Sequence, residues 1–468
     1  MKGFFAALTR HPVSLAGTVL TTSAAVLFIA LFALELAGMH GGPYVGIIAY
    51  LILPGIFVLG LLLIPLGARL ERRRRAAGAT ESAFPVVDLN RAETRNRVIL
   101  VFALSLVNVL LLAVAMYKGM EVMDSTAFCG QACHSVMSPE FAAYQRGAHA
   151  SVACVDCHIG PGAGWFVKSK LSGAWQVVSV NLDLYPRPIP TPVHNLRPAR
   201  DTCEQCHWPQ KFVGDRLKVI TSYADDEEVS EMKTVLLLRV GGIQGRTSHG
   251  IHWHVDPENE IRFRADESRE TVYEIEMRGE DGEAVRFFAP GAAEGELAAA
   301  GTWRTMDCVD CHNRPSHTFH SAEDEVDREL LSGRIARDLP FVRREGVRLA
   351  RADYPSHEAA REAILAGLRG FYAEQFPELA ATRAEAIAEA AAAIWDGYRA
   401  NVHPTMNVTW GTYPNHIGHE DTPGCFRCHD DLHATADGGR VVSQDCETCH
   451  SLLAMEEEDP EILRVLKP

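Results

Sequence analysis

The chain has 468 residues, enough for two or more compact units, and its 47% of hydrophobic residues is ordinary for a globular protein. A formal net charge of −15 argues against nucleic acid as a partner, because binding to phosphates requires a basic face. The 12 cysteines and 20 histidines exceed what an ordinary core needs, so they direct the functional interpretation.

Three apolar segments in the N-terminal quarter are long enough to cross about 30 Å of hydrocarbon, which takes roughly 20 helical residues. They run approximately over Val13–Gly38, Tyr44–Leu66 and Val98–Tyr117. Lys2 and Arg10 precede the first segment, as in a cleaved signal peptide, but the apolar stretch is too long for one and no small-residue cleavage site closes it. We therefore predict three transmembrane helices.

Basic residues predict the orientation of these helices, because positively charged loops stay in the cytoplasm. The connection Met39–Pro43 carries no lysine or arginine, whereas the connection between the second and third segments carries many: Arg69, Arg72, Arg73, Arg74, Arg75, Arg91, Arg95 and Arg97. We expect a bacterial inner-membrane protein with a cytoplasmic N-terminus and everything after Tyr117 in the periplasm.

The rest of the chain divides by composition. Turn signals separate four strand-prone runs, which are Thr234–Val240, Glu260–Phe263, Val272–Met277 and Ala284–Phe288. Glu323 to Arg399 has a helical pattern, and the segment after it looks like loop. We predict a membrane domain at 1–120, a three-motif module at 121–215, a β-rich insertion at 216–301, a fourth motif segment at 302–325, a helical segment at 326–400 and a two-motif segment at 401–468.

Five copies of Cys-x-x-Cys-His carry the chemistry. In this motif the two thiols form thioethers to the vinyl groups of one haem, and the adjacent imidazole is held under the iron as an axial ligand. One copy would be weak support, but five copies that use ten cysteines are strong. The copies are Cys154/Cys157/His158, Cys203/Cys206/His207, Cys308/Cys311/His312, Cys425/Cys428/His429 and Cys446/Cys449/His450.

A sixth pair has three intervening residues, at Cys129, Cys133 and His134. A longer loop can still reach both vinyl groups, so we predict six covalently bound haem c groups, although a thiol pair with another use is the alternative. Structural zinc would need two such pairs per ion at zinc-finger spacing, and six pairs each followed by histidine do not fit that pattern.

Further histidines would complete the coordination of six irons. Two imidazole ligands per iron lower the reduction potential and leave no open position for a substrate. His357, on a helical stretch, is expected to be a surface residue. The candidates for distal ligands are His149, His194, His252, His254, His317, His416, His419 and His433.

The first haem is expected at the membrane surface, because only a short stretch separates Tyr117 from Cys129. A lipid-soluble quinol presents its headgroup at that level and could pass electrons along the haems towards the last motif. Quinol oxidation also releases protons, and Glu35, near the outer end of the first helix, is a candidate acceptor.

Residues around the first two motifs resemble the NapC/NirT/NrfH family of membrane-anchored, quinol-oxidising multihaem cytochromes c. The resemblance covers roughly Val98 to Trp208 and rests on Phe128-Cys129, Cys133-His134 with Met137 behind, Ala148-His149, Cys154-Val-Asp-Cys157-His158 and the stretch Trp165–Gln176. The whole chain is similar to the larger three-span inner-membrane cytochromes of Geobacter-type metal-respiring bacteria, through Asp310–Pro315 and Trp410–His419.

The resemblance implies further site residues. The first haem of this family often takes a methionine after the motif, so either His134 or Met137 would be its ligand here. Lys168 or Lys170 would contact the quinol, and the alternative is that both are interfacial lysines that reach for lipid phosphate. Gln176 stands where some members have an acidic residue.

We therefore expect electron transfer from the membrane quinol pool, menaquinol or ubiquinol, through six haems to periplasmic cytochromes or a reductase, in anaerobic or extracellular respiration. The chain would be a quinol dehydrogenase or a pure electron carrier. The alternative is a haem-bearing anchor subunit of a larger respiratory complex. A terminal reductase is less supported, since it needs an iron with an open site and histidines are plentiful.

Overall fold

The computed structural model describes residues 11–36, 52–76, 88–132, 134–159, 163–193, 196–208, 214–244, 247–256, 259–278, 282–292 and 294–466. The chain forms two compact units, Met1–His134 and Ser135–Pro468. The predicted connection Met39–Pro43 lies outside the described residues.

The first unit consists of long helices, namely α1 (Pro12–Leu36), α2 (Leu53–Ala76) and α3 (Ala92–Met123). Glycines let α1 and α2 pack closely, because a Cβ atom on Gly17 would lie only 2.7 Å from the carbonyl oxygen of Gly60. Within the described residues, the stretches 12–32 and 53–74 are long and apolar enough to cross a membrane. Two of the three predicted spans are thus recovered as candidates, and α2 continues ten residues past the predicted end at Leu66, into the arginine run.

Short helices open the second unit and carry the first motifs. These are α4 (His134–Arg146), which begins at the junction of the two units, then α5 (Cys154–His158), α6 (Ala163–Asn181) and α7 (Ala199–Cys203). A π-helical turn at Phe128–Ala132 precedes them in the first unit.

Nine described strands follow, and they are all paired antiparallel. They are β1 (Arg216–Tyr223), β2 (Glu231–Leu238), β3 (Gly242–Gln244), β4 (Thr247–His249), β5 (Glu260–Ala265), β6 (Val272–Arg278), β7 (Ala284–Phe288), β8 (Arg304–Thr305) and β9 (His450–Glu457). The sheets have the orders β1-β2-β9, β3-β4 and β7-β6-β5-β8. Ile261 and Phe263 alternate along β5 and pack with Val272 and Ile275 of β6 in the buried apolar cluster of the four-stranded sheet, where a register shift separates the pairings of Val272 and Ile275.

All four predicted strand-prone runs form strands, so the β-rich region is confirmed. The expectation of loop structure in the C-terminal segment is wrong at two places, the strand β9 and a short helix at Glu461–Val465. The strand β9 begins at His450, immediately after the last cysteine, and pairs with β2 about 200 residues earlier, with Leu236 opposite Leu452. Pairing over that separation leaves no local sequence signal.

The predicted helical segment is also confirmed and forms the main core. Its helices are α10 (Ala322–Leu331), α11 (Val342–Ala350), α12 (His357–Gln375), α13 (Pro377–Thr382) and α14 (Ala384–Asn401), while the short α8 (Glu294–Ala299), α9 (Cys308–Cys311) and α15 (Glu461–Val465) lie outside it. Ile364, Leu368 and Tyr372 recur every four residues along α12 and are fully buried. Ser321 caps α10 by accepting a hydrogen bond from the Asp324 amide at 3.1 Å.

Candidate haem sites

Each of the five regular motifs occupies a short helical turn or follows directly from one. Two turns are α5 and α9, α7 ends at Cys203, and 3-10 turns cover Gly424–Arg427 and Cys446–Thr448. A helical turn brings residues three and four positions apart to the same side, which is the arrangement that two thiols and an axial imidazole require. None of the eleven described cysteines is in a disulfide, so their sulfurs are available for thioethers.

The predicted thioether cysteines differ in burial. Cys206, Cys425 and Cys446 are exposed, whereas the other eight described cysteines are half-buried. Cys206 lies just past the end of α7, in a turn closed by a 3.1 Å hydrogen bond from the Cys206 amide to the Cys203 carbonyl. The role of all these cysteines in haem attachment stays a prediction.

Opposite the histidine of each of the five regular motifs, the second unit places one histidine from outside the motifs. The ring-centroid distances are 6.0 Å for His149 and His207, 6.1 Å for His158 and His317, 6.4 Å for His252 and His312, 5.7 Å for His254 and His429, and 6.1 Å for His419 and His450. All five regular motifs therefore have such a partner.

These separations fit two imidazoles that share one metal ion. An imidazole nitrogen lies about 1.2 Å from its ring centroid and binds a first-row metal at about 2 Å, so two rings on opposite sides of one iron have centroids about 6.4 Å apart. Four of the five pairs come within half an ångström of that value. The ring separations therefore fit bis-histidine ligation of a haem iron.

Hydrogen bonds leave the correct ring nitrogen available. Four non-motif histidines donate an Nδ1 hydrogen to a backbone carbonyl, and each donation leaves the lone pair on Nε2. The bonds are His149 to Pro315 at 3.0 Å, His252 to Val240 at 3.1 Å, His254 to Ile251 at 2.8 Å and His317 to Glu140 at 2.9 Å.

The pair His254 and His429 shows this most directly. His429 also donates from Nδ1 to a carbonyl, that of Ser443 at 2.7 Å, so both rings present an unprotonated Nε2. The two Nε2 atoms face each other at 3.4 Å. Two lone pairs in that position repel unless a cation lies between them, and an iron would need them only about 0.6 Å further apart.

Burial lowers the pKa of four of the paired histidines, His158, His254, His312 and His450, and so favours the neutral form, which is the one that binds metal. Burial lowers the pKa of His254, and the neighbouring His429 lowers it further. The pKa of His312 is lowered by burial and then by His252. Burial also raises the pKa of the Cys428 thiol to about 12, which suppresses its ionisation in this position.

Among the described candidate distal ligands, His416 and His433 are not brought opposite a motif histidine. Both ring nitrogens of His416 are used, by the Asp310 carbonyl at 3.2 Å and the Glu270 carboxylate at 2.8 Å. His433 is likewise held, by Asp430 at 2.9 Å and by a backbone carbonyl at 3.0 Å. His194 lies outside the described residues.

A sixth histidine pair was not expected. The ring of His357 lies 5.5 Å from that of His403, and its Nε2 bonds the Val402 carbonyl at 2.7 Å. His357 is therefore partly enclosed, not the plain surface residue that its helical position suggested. His403 is 3% exposed and contacts Ser138 Oγ at 3.1 Å. Burial lowers the pKa of His403 to about 4, with His357 as the next cause.

Thiols of successive motifs are neighbours in space. The thiols of Cys203 and Cys308 share a hydrogen bond. Three other pairs are close enough to interact electrostatically, namely Cys157 with Cys203, Cys311 with Cys425, and Cys425 with Cys449. The five regular motifs thus follow each other in space in the same order as in the chain.

The irregular first motif lies in the first unit, directly after α3. Cys129 is on the π-helical turn, and its Sγ is 3.9 Å from the Met123 carbonyl oxygen in the last turn of α3. Cys133 lies outside the described residues, and so does the side chain of His134. Met137 is on α4 and half-buried.

The quinol-site candidates are divided between the two units. Lys168 and Gln176 are exposed on α6, and Lys168 Nζ is 4.7 Å from the centroid of the Trp165 ring. Lys170 is on the same helix, but its side chain lies outside the description. Glu35 is in the last turn of α1, where the structure places it on the same helix as predicted.

Two supporting groups were missed in the sequence. Asp310, inside the fourth motif, is 3% exposed and binds Arg304 at 2.8 Å and Arg269 at 3.3 Å, which anchors the motif to the four-stranded sheet. Glu140 holds Arg314 through both carboxylate oxygens, at 3.0 and 3.1 Å, beside His317. The aspartate inside the Cys-Val-Asp-Cys motif is visible in the sequence, but its pairing with Arg304 and Arg269 is not.

Repeated motif turns, each facing a partner imidazole, define a multihaem cytochrome c. Residues 91–185 match the model of the N-terminal region of the NapC/NirT cytochrome c family. The chain is also 43% identical over 456 residues to the cytochrome c-type protein ImcH of Geobacter sulfurreducens, covering 96% of this chain and 89% of that protein. The chain therefore belongs to the NapC/NirT cytochrome c family, as the resemblance predicted, and is a membrane-anchored electron-transport protein. No solved structure matches it significantly.

Proposed function

We propose that this protein takes electrons from membrane quinol and carries them through six covalently bound haems to a periplasmic acceptor. The observation that supports it best is the set of five histidine pairs, since each regular motif has a partner imidazole near the separation that one iron requires. An open coordination position, which a terminal reductase needs, is disfavoured at all five.

The proposed axial pairs are those with facing rings, each made of one motif and one non-motif histidine. They are His158 with His317, His207 with His149, His312 with His252, His429 with His254, and His450 with His419. Haem c supplies a one-electron carrier, and two imidazole ligands lower its reduction potential. At the first motif the axial ligand is His134 or Met137. His416 and His433 act as hydrogen-bonding residues between segments.

Electrons would enter at the first motif and leave at the last. The first motif directly follows α3, whose apolar stretch we take as the third membrane span, so it is placed where a quinol headgroup lies. The electrostatic interactions between thiols of successive motifs support a path in chain order to the motif at His450. Each quinol gives up two electrons and two protons, so two haems are reduced per quinol, and Glu35 or water would take up the protons.

The orientation is part of the proposal. The arginine run that ends α2 is positively charged and would remain in the cytoplasm, which places the motifs in the periplasm of a bacterial inner membrane. Menaquinol and ubiquinol are equally compatible donors. A soluble cytochrome or a reductase would be the acceptor.

Removing the first haem tests the entry point. In the full-length protein, Cys133→Ala should abolish quinol-driven reduction of the remaining five haems, while dithionite still reduces them. The measurement is anaerobic reduction by a quinol in reconstituted membranes, followed at the haem absorption band. Quinol reduction at the normal rate in a variant that retains five haems would refute entry at the first motif.

The matched control removes the last haem. Cys449→Ala also lowers the haem count by one, but quinol should reduce its remaining haems at the normal rate, and transfer to an external acceptor should fall. If both variants lose quinol reduction equally, the loss reflects general damage, and the assigned direction of flow has no support.

A further inference from the structure

Helix α6 presents an apolar stripe to the outside. Leu171, Trp175, Val178 and Leu182 are 70, 62, 44 and 63% exposed. Their spacing of four, three and four residues puts them on one helical face, and Leu182 continues the last turn through a 3.0 Å bond from its amide to the Val178 carbonyl. Soluble surfaces rarely leave such a row of large apolar side chains uncovered.

The opposite face of α6 faces the second unit. Val180 lies on that face and packs against the buried cluster that includes Met406 and Tyr413, whereas the stripe lies on the outer side. The stripe is therefore not the inner face of an amphipathic helix that packs against the core. It requires a partner outside the described residues.

The charge of the helix indicates the chemistry of that partner. Residues 163–181 contain Lys168 and Lys170 but no acidic residue, although the whole chain has a formal charge of −15. Lysine and tryptophan are the residues that typically lie at a membrane surface, where the ammonium group reaches lipid phosphate and the indole ring sits among the headgroups. An anionic bilayer surface is complementary to this helix in both polarity and charge.

We propose that α6 lies in the headgroup layer of the membrane, with the stripe Leu171, Trp175, Val178 and Leu182 inserted among the lipids. Such helices insert their apolar face about 5–10 Å. The inference rests on the proposed function, since it assumes an anchored chain. It places Lys168 and Gln176 at the depth of a quinol headgroup, so the interfacial helix also holds the candidate quinol-contacting side chains.

Single introduced cysteines test the position of α6. If all native cysteines are bound to haem, Leu171→Cys and Leu182→Cys each carry the only free thiol, and Ser172→Cys and Asn181→Cys provide matched controls on exposed polar positions of the same helix. Full-length protein is placed at one copy per nanodisc, in phosphatidylethanolamine and phosphatidylglycerol. Labelling by a charged, membrane-impermeant maleimide should be at least tenfold slower at the stripe than at the controls. A phospholipid with a diazirine in its acyl chain should cross-link to α6.

Equal labelling rates at stripe and control positions would overturn the proposal. So would protection without lipid cross-linking, which would mean that another part of the chain covers the stripe. Protection in native membranes that is lost in single-copy discs would mean that a second copy or another protein covers it, and would also overturn the proposal. Labelling of the unmutated protein would instead contradict complete haem attachment and leave the interfacial position to be decided by the cross-link.

Discussion

Replacing Glu140 by glutamine should raise the reduction potential of the haem assigned to His158 and His317. The Glu140 carboxylate is 3.4 Å from Nδ1 of His317, and an iron bound at Nε2 would be about 7 Å from that charge. At an effective dielectric constant of about 20, one unit charge at that distance contributes about 2.4 kcal/mol. For one electron this equals about 100 mV. Because the carboxylate stabilises the ferric form, its loss favours reduction.

Potentiometric titration of the full-length protein would measure this shift. We expect one midpoint potential to rise by about 50–100 mV, within that electrostatic limit, while the others stay in place. Glu345→Gln is the control, since Glu345 is also a buried carboxylate, 6% exposed and paired with Arg348 at 2.8 Å, on a helix of the main core. If no midpoint moves more in Glu140→Gln than in Glu345→Gln, the proposed influence of this carboxylate is refuted.

Three further predictions concern haem content, topology and pH. A pyridine haemochrome assay should give about six haems per chain, and a value near five would remove the Cys129 and Cys133 site. A reporter fused after Gly78 should behave as cytoplasmic and one after Pro468 as periplasmic, and the reverse pattern would contradict the orientation. The folded-state pKa of His403, about 4, lies below the unfolded value of about 6.5, so the unfolded chain binds a proton first as pH falls. The protein's free energy of unfolding should therefore fall by up to about 3 kcal/mol between pH 6.5 and 4 because of His403. Denaturation followed by circular dichroism should show a smaller loss of stability with falling pH in His403→Gln. If the slope of the free energy of unfolding against pH is the same in this variant, other groups cause the loss.

The haem motifs were readable in the sequence because their chemistry is local. Two thiols and a histidine within five residues must lie on one turn, whatever the rest of the chain does. The distal ligands are different, since the partner of His158 is 159 residues away, at His317. Proximity in sequence also favoured His416 and His433, whose ring nitrogens both have other partners. Only the folded chain shows which imidazole keeps a free lone pair.

The parts of the fold that have local sequence signals were also predictable. Strand-prone runs separated by turn signals predicted β2 and β5 to β7, and the helical pattern of Glu323 to Arg399 predicted the helices of the main core, because both signals are set by neighbours along the chain. The strand β9 had no such pattern to reveal it, since its partner β2 lies in another region. The stripe on α6 was visible as residue types, but that it faces outwards depends on which side of the helix the second unit covers.

A single 3-10 turn, Ile251–Val255, carries both His252 and His254, whose partner rings belong to different motifs. This has a consequence for biogenesis under the proposed ligation. In the proposed orientation, His254 would be exported well before His429, which follows 175 residues later. The mature coordination at that site would then form only once the chain as far as His429 has crossed the membrane. Contacts across such separations close slowly. Truncation before residue 429 should therefore leave His254 without its partner, while His252 can already meet His312. The two haems would then mature at different times, although one ligand of each comes from the same 3-10 turn.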